Sequence, residues 1–250
     1  VNPSAKLPET FPKQLEDNPS YLAGFGEGDH VEYREGIFVG YRYYDKKKMD
    51  VLFPFGYGLS YTTFAYSNLR LDKKTMKDTE ELTVSVDVTN TGDRTGKEVV
   101  QLYVADKDST MIRPVKELRD FAKIELAPGE TKTVTFTLGK RAFAYYDVQI
   151  HDWQVETGEF EILIGASSRD IALRDTVTVE STVKIPFHYT TDTTMGDIMS
   201  RPEAWKLVQS VLSKGMFGQG SEVNEGGDAA KEAISDEMNA AMLQYMPLRG

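Results

Sequence analysis

"LTVSVDVTNTGD", residues 82–93, decides the fold. Leu82, Val84, Val86 and Val88 alternate with Thr83, Ser85, Asp87 and Thr89, and the run stops at a turn-forming Asn-Thr-Gly-Asp. Successive side chains of an extended strand point to opposite faces, so this pattern seals one face in a core and leaves the other in water. The same grammar recurs downstream. Val100, Leu102 and Val104 alternate with Gln101 and Tyr103; Val134, Phe136 and Leu138 alternate with Thr133, Thr135 and Thr137; Phe160, Ile162 and Ile164 follow Gly158. "APGE" at 127–130 and "ETGE" at 156–159 punctuate the runs. Short strands at this spacing, with no helices between them, predict an antiparallel sandwich of about seven strands over residues 65–186.

Upstream, residues 1–64 are dense in turn formers, from Pro3, Pro8 and Pro12 to Gly56 and Gly58. Only short extended runs fit there, such as Lys6–Thr10 and Ile37–Tyr44, and no helix of useful length is expected. Some sixty such residues cannot close a core alone, so the segment reads as the end of a larger domain. Ten aromatic residues fall between Phe38 and Tyr66, interleaved with glycines. Glycine lets two backbones approach, and Tyr and Phe bury large areas, which suits a domain seam for Phe53, Phe55, Tyr57, Tyr61 and Phe64. The functional alternative is that Tyr41, Tyr43, Tyr44 and Tyr57 edge a sugar cleft and stack on a pyranose ring.

Downstream, residues 187–250 turn helical. Ser200 and Glu203 form a capping-box pattern with Pro202 in the first turn; Trp205, Val208 and Leu212 mark one face, and Gly215 is the stop. After a Gly-rich acidic linker, Ile234, Met238, Met242 and Tyr245 form a second stripe. Two such faces need a covering surface, either the rest of the protein or a second protomer in a homo-oligomer.

The 250 residues carry a net charge of −10, with 40% hydrophobic and 27% charged side chains. An acidic globular chain of this kind is not built for nucleic acid or an anionic membrane surface, whose recognition draws on clustered Lys and Arg. Lys46, Lys47 and Lys48 read as a solvated turn. Cysteine is absent, which excludes disulfides and thiolate chemistry. No apolar run approaches the ~20 residues of a membrane span. His30, His151 and His188 stand in three unrelated contexts without metal-ligand spacing, and neither a phosphate-binding loop nor a nucleophile elbow occurs. Glu27, Asp29, Glu32 and Glu35 cluster beside the aromatic stretch and read as solvated loop charges. Nothing in the chain is a catalytic constellation in its own right, so no catalytic residue and no metal site is assigned.

Taken in order, "VNPSAKLPETFP" (1–12), "EGIFVGYRYYD" (35–45), "LFPFGYGLSYTTF" (52–64), "VTNTGDRTGKEVVQLYV" (88–104), "RPVKELRDFAKIELAPGETKTVTFTL" (113–138) and "GEFEILIGASS" (158–168) resemble the C-terminal part of family 3 glycoside hydrolases, most of all the bacterial β-glucosidases. The resemblance implies a barrel domain, an α/β sandwich domain and a fibronectin type III-like domain. The last of these would be residues 65–186, residues 1–64 the final strands and loops of the α/β domain with its linker, and 187–250 a helical extension. An Asp nucleophile in the barrel and a Glu acid/base in the α/β domain both precede the first of these motifs, so neither is expected here. Double displacement by two carboxylates needs no metal or other cofactor. The expected function is therefore the supporting portion of a retaining β-glucosidase, inactive alone, whose partners are the barrel and α/β domains and, through them, a β-glucoside. The residues leave the compartment open; the bacterial character of the resemblance leans to the cytoplasm. The competing readings are a non-catalytic carbohydrate-binding or protein-interaction sandwich, and one subunit of a split glycosidase.

Overall fold

The alternating runs become strands because each buries a row of apolar side chains, β-branched, Leu or Phe. In the computed structural model, which describes residues 1–22, 29–183, 187–215 and 244–247, the chain forms two compact units, Val1–Lys184 and Ile185–Gly250. The first unit opens with β1 (Phe11–Pro12), α1 (Tyr41–Lys46) and β2 (Val51–Phe53), with β1 and β2 paired antiparallel. Ten strands follow: β3 (Phe64–Leu71), β4 (Thr75–Lys77), β5 (Leu82–Asn90), β6 (Gly96–Asp106), β7 (Glu117–Leu126), β8 (Thr131–Leu138), β9 (Tyr145–Asp147), β10 (Asp152–Gln154), β11 (Gly158–Gly165) and β12 (Ile171–Glu180).

Eight of them make two sheets, ordered β4-β12-β11-β6-β7 and β3-β5-β8. Leu82, Val84, Val86, Val88, Val134 and Phe136 of the smaller sheet interlock with Val100, Leu102, Phe160, Ile162, Ile164, Val177 and Val179 of the larger. The eighth strand, β4, departs from the all-antiparallel expectation: it runs parallel to β12, with Met76 opposite Val179. Met76 is one of the largest side chains to be fully buried, and burying it repays a strand only three residues long. β9 and β10 form a separate hairpin. At "APGE" the chain turns through Gly129, at φ +73°, whose N–H donates to the Asn90 carbonyl at 2.9 Å.

Two expectations fail locally. The run Ile37–Tyr44 is not extended throughout: Gly40, at φ +60°, turns the chain into α1. Tyr41 and Tyr44, three residues apart on one helical face, are both buried by it, and that burial overrides the extended preference of aromatic residues. In the second unit the capping box lies at Thr194 and Asp197, opening α2 (Met195–Met199). Ser200 instead closes α2, its hydroxyl donating to the Asp197 carbonyl at 2.7 Å. α3 (Pro202–Gly215) starts at the expected proline, with Trp205 and Val208 half-buried and Leu207 exposed. Ile234, Met238 and Met242 lie outside the described residues; Tyr245 is exposed.

Candidate functional site

A sandwich strand needs burial on one face only, yet β6 is buried on both from Val100 to Ala105. Its outward residues explain this. Gln101, Tyr103 and Ala105 point away from the sandwich core and are covered by residues 1–64. The Tyr41 ring stacks on Phe55 at 4.8 Å and meets Tyr103 edge-on at 6.0 Å. Leu163 and Leu118 complete this second cluster. The Tyr41 hydroxyl accepts the Leu118 N–H at 2.7 Å, beside the point where β7 carries one extra residue, Arg119. A bulge of this kind re-aims a strand's side chains, and Arg119 reaches Glu117 at 2.6 Å.

Several polar groups in this seam are paired across it. The Gln101 amide donates to the Gly56 carbonyl at 3.1 Å and the Ala166 carbonyl at 2.7 Å, and accepts from the Tyr103 hydroxyl at 2.6 Å. Burial, then the neighbouring Tyr41 and Asp45, raise the Tyr103 phenol far above its ordinary pKa. Lys6 pairs with Glu98 at 2.8 Å and donates to the Ala166 carbonyl at 3.2 Å. The Tyr66 hydroxyl reaches the same Glu98 at 3.3 Å. Asp45, at the end of α1, joins Lys116 at 2.7 Å and Arg169 at 3.0 Å. Asn2 accepts the Tyr61 N–H at 2.9 Å and donates to the Thr95 carbonyl at 3.2 Å.

The four candidate tyrosines separate by burial. Tyr41 and Tyr44 are turned into the protein, 8% and 3% exposed, and a buried ring has no face to offer a pyranose. Tyr57 is half-buried, its ring 5.1 Å from Phe53. Tyr43 is half-exposed, with its edge relation to Tyr44 at 5.4 Å and the Lys47 ammonium 5.9 Å from its ring. It lines an open cleft of ≈ 350 Å³ together with Arg34, Glu35, Phe38 and Ile112.

Buried carboxylates here hold the structure together. Asp45, Glu98 and Asp106 each face a Lys or Arg within 3.0 Å, and Asp78 accepts the Thr182 N–H at 3.0 Å. Among the described residues no group of three or more His, Cys, Asp or Glu converges as a metal site would. None of their helices is long and apolar enough to cross a membrane.

Residues 98–168 match the fibronectin type III-like domain family. Over 249 residues the chain is 53% identical to thermostable β-glucosidase B of Acetivibrio thermocellus, covering all of this chain and 32% of that protein. The crystal structure of the Bifidobacterium adolescentis GH3 β-glucosidase superposes with a TM-score of 0.74 at 42% identity, over 83% of this chain and 30% of that one. This chain belongs with the family 3 glycoside hydrolases. It spans about a third of the length of these two relatives. The likeness extends beyond proteins named as glucosidases: an exo-α-(1→6)-L-arabinopyranosidase of Bifidobacterium breve is 44% identical over 219 residues, 88% of this chain and 28% of that one.

Against this family 3 background, Lys6, Asn2 and Gln101 are the seam residues that sequence reasoning missed as individuals. Gln101 carried one signal, a polar side chain in the middle of the apolar β6. Lys6 and Asn2 carried none, because their partners lie 92 and 93 positions away.

Proposed function

We propose that this chain is the C-terminal, structurally supporting portion of a retaining β-glucosidase. In this reading residues 1–64 complete a preceding α/β domain, residues 65–186 are the fibronectin-like buttress, and residues 187–250 form a helical extension. The bond-breaking carboxylates belong to parts of the enzyme outside these 250 residues. The observation that carries the reading is the doubly buried β6, which makes residues 1–64 and the sandwich one packed body. Exposed apolar side chains within residues 1–64, among them Phe11, Leu52, Leu59 and Tyr61, would supply surface on which the remaining domains rest. The pairing of Asp45, Glu98 and Asp106 with cations supports a structural role for the acids at hand. Relatives named for different sugars share this portion, which argues that sugar choice resides elsewhere. A cytoplasmic setting belongs to the same proposal and rests on resemblance alone.

The cleft-edge role is proposed for Tyr43 and Tyr57, the two half-exposed rings. The experiment is an aryl β-glucoside assay on the purified 250-residue chain, alongside the same chain joined to barrel and α/β domains. Turnover is expected only from the joined protein. Hydrolysis by the 250 residues alone would overturn the assignment.

A further inference from the structure

Beside Tyr43 lies a concavity that neither the fold nor the seam requires. Four separate pieces of the first unit build it: Pro19, the segment holding Arg34, Glu35 and Phe38, helix α1 with Tyr43, Lys46 and Lys47, and Ile112 from the loop between β6 and β7. Its ≈ 350 Å³ falls within the range of small-molecule sites.

Two of its walls are fixed. α1 is tied down by Asp45 through Lys116 and Arg169. Ile112, 76% exposed, precedes Arg113, which is 8% exposed and donates to Asp106 at 3.0 Å and to the Phe143 carbonyl at 3.1 Å. The same loop is held from its other side by Ser109, whose hydroxyl donates to Glu156 at 2.9 Å. An apolar side chain is thus presented to solvent by a tethered loop and lines the same cleft as Tyr43 and Phe38.

The chemistry of the lining selects a ligand class. Tyr43 and Phe38 offer apolar ring surface for the C–H face of a sugar ring. Arg34, Lys46 and Lys47 are donors only, and Glu35 is an acceptor when ionised. Hydroxyl groups need partners of both kinds, and these four side chains supply both. The guanidinium of Arg34 is steadied by Glu32 at 2.8 Å. Three cations against one carboxylate, in a chain of net charge −10, also favour a ligand rich in acceptor oxygens.

We infer that this cleft is a saccharide-binding site, that it takes a β-linked oligosaccharide, and that the fibronectin-like domain contributes to it through Ile112. The inference rests on the reading of the chain as part of a β-glucosidase and adds to it a site built from the supporting portion.

The test has two arms. Cellotetraose is titrated by calorimetry into the 250-residue chain and into its Tyr43→Ala, Arg34→Ala and Tyr61→Ala variants, each checked for a cooperative melt. Saturable binding is expected in the wild type, weakened about tenfold or more in Tyr43→Ala and Arg34→Ala and unchanged in Tyr61→Ala. A cooperatively melting wild type that binds nothing, or undiminished binding in both cleft variants, would overturn the inference. In the complete enzyme, Tyr43→Ala should raise KM for cellotetraose more than KM for an aryl β-glucoside. An unchanged ratio sinks the cleft and leaves the β-glucosidase reading standing. A complete enzyme inert on both substrates sinks that reading, while the calorimetry still decides the cleft.

Discussion

Gln101 and Gly56 are fitted to each other across the seam. Gly56 sits at φ +79°, a backbone region that favours glycine, and a Cβ placed on it would lie 2.1 Å from the Gln101 side-chain oxygen. Gly56→Ala is therefore expected to destabilise the first unit by about 1–3 kcal/mol from backbone strain, with the steric overlap added to it. Gly139→Ala, where no atom lies within 4 Å and φ is −93°, should change stability by no more than about 0.5 kcal/mol. Urea denaturation of the two variants measures the contrast. Equal midpoints would contradict the proposed fit.

Lys6 and Glu98 face each other with side-chain exposures of 15% and 7%. Removing one partner leaves the other charge stranded at low dielectric, which costs about 3–5 kcal/mol. Lys6→Ala should fall near that range. The paired change Lys6→Met with Glu98→Leu should lose far less, because no uncompensated charge remains. A double-mutant cycle on unfolding free energies checks this, and additivity of the single changes would count against it.

Asp87 receives Arg70 through both guanidinium nitrogens at 3.0 and 3.1 Å, Thr133 at 2.7 Å and Asn68 at 2.9 Å. These hydrogen bonds, Arg70's foremost, hold its carboxyl well below the ordinary carboxylate range. A depressed folded-state pKa adds stability that is present above the unfolded value of about 3.9 and is lost as pH falls below it. Asp87→Asn should therefore lower stability at neutral pH and flatten its dependence on pH between about 4 and the acid limit. An acid limb as steep as the wild type's would refute the role given to Asp87.

Tyrosine ionisation gives the opposite sign. Burial, and after it Glu98, raises the Tyr66 phenol, and burial does the same for Tyr103. Tyr145 is pushed up to about 12 by burial, then Glu156 and Asp147. A raised folded-state pKa leaves stability intact below the unfolded value of about 10 and removes it as pH climbs further. Ultraviolet titration should show Tyr66 and Tyr103 ionising only as the fold opens. Tyr103→Phe should lessen the alkaline loss, and titration of every tyrosine in one step would contradict the buried assignments.

The sandwich could be read from the chain because its determinants are local. Leu82, Val84, Val86 and Val88 each reach zero exposure on an alternation visible within seven residues. Turn chemistry at Asn90 and Gly129 was legible for the same reason. Helix α1 was not, since its six residues form a helix only where Tyr41 finds Tyr103 and its neighbours some sixty positions on. The seam was anticipated from rings and glycines only in part: Phe55 packs into it, whereas Phe53 and Tyr61 are exposed and Phe64 lies against the sandwich core. Its polar half was not foreseen: Gln101 and Lys6 choose partners by three-dimensional proximity, which spacing does not encode. Of the cleft, Tyr43 was marked in advance. Ile112 was invisible, because an exposed aliphatic residue in a loop gains meaning only from what stands opposite it.

The covering of β6 from outside also bears on where this polypeptide could be divided. Cutting between residues 64 and 65 would strip Tyr103, Ala105 and Leu163 of their lid and leave the Lys6 partner, Glu98, without its counter-ion. The liberated sandwich would then carry an adhesive patch at the centre of its larger sheet. In physical terms the joint between neighbouring modules lies inside what the strand pattern presents as a single module.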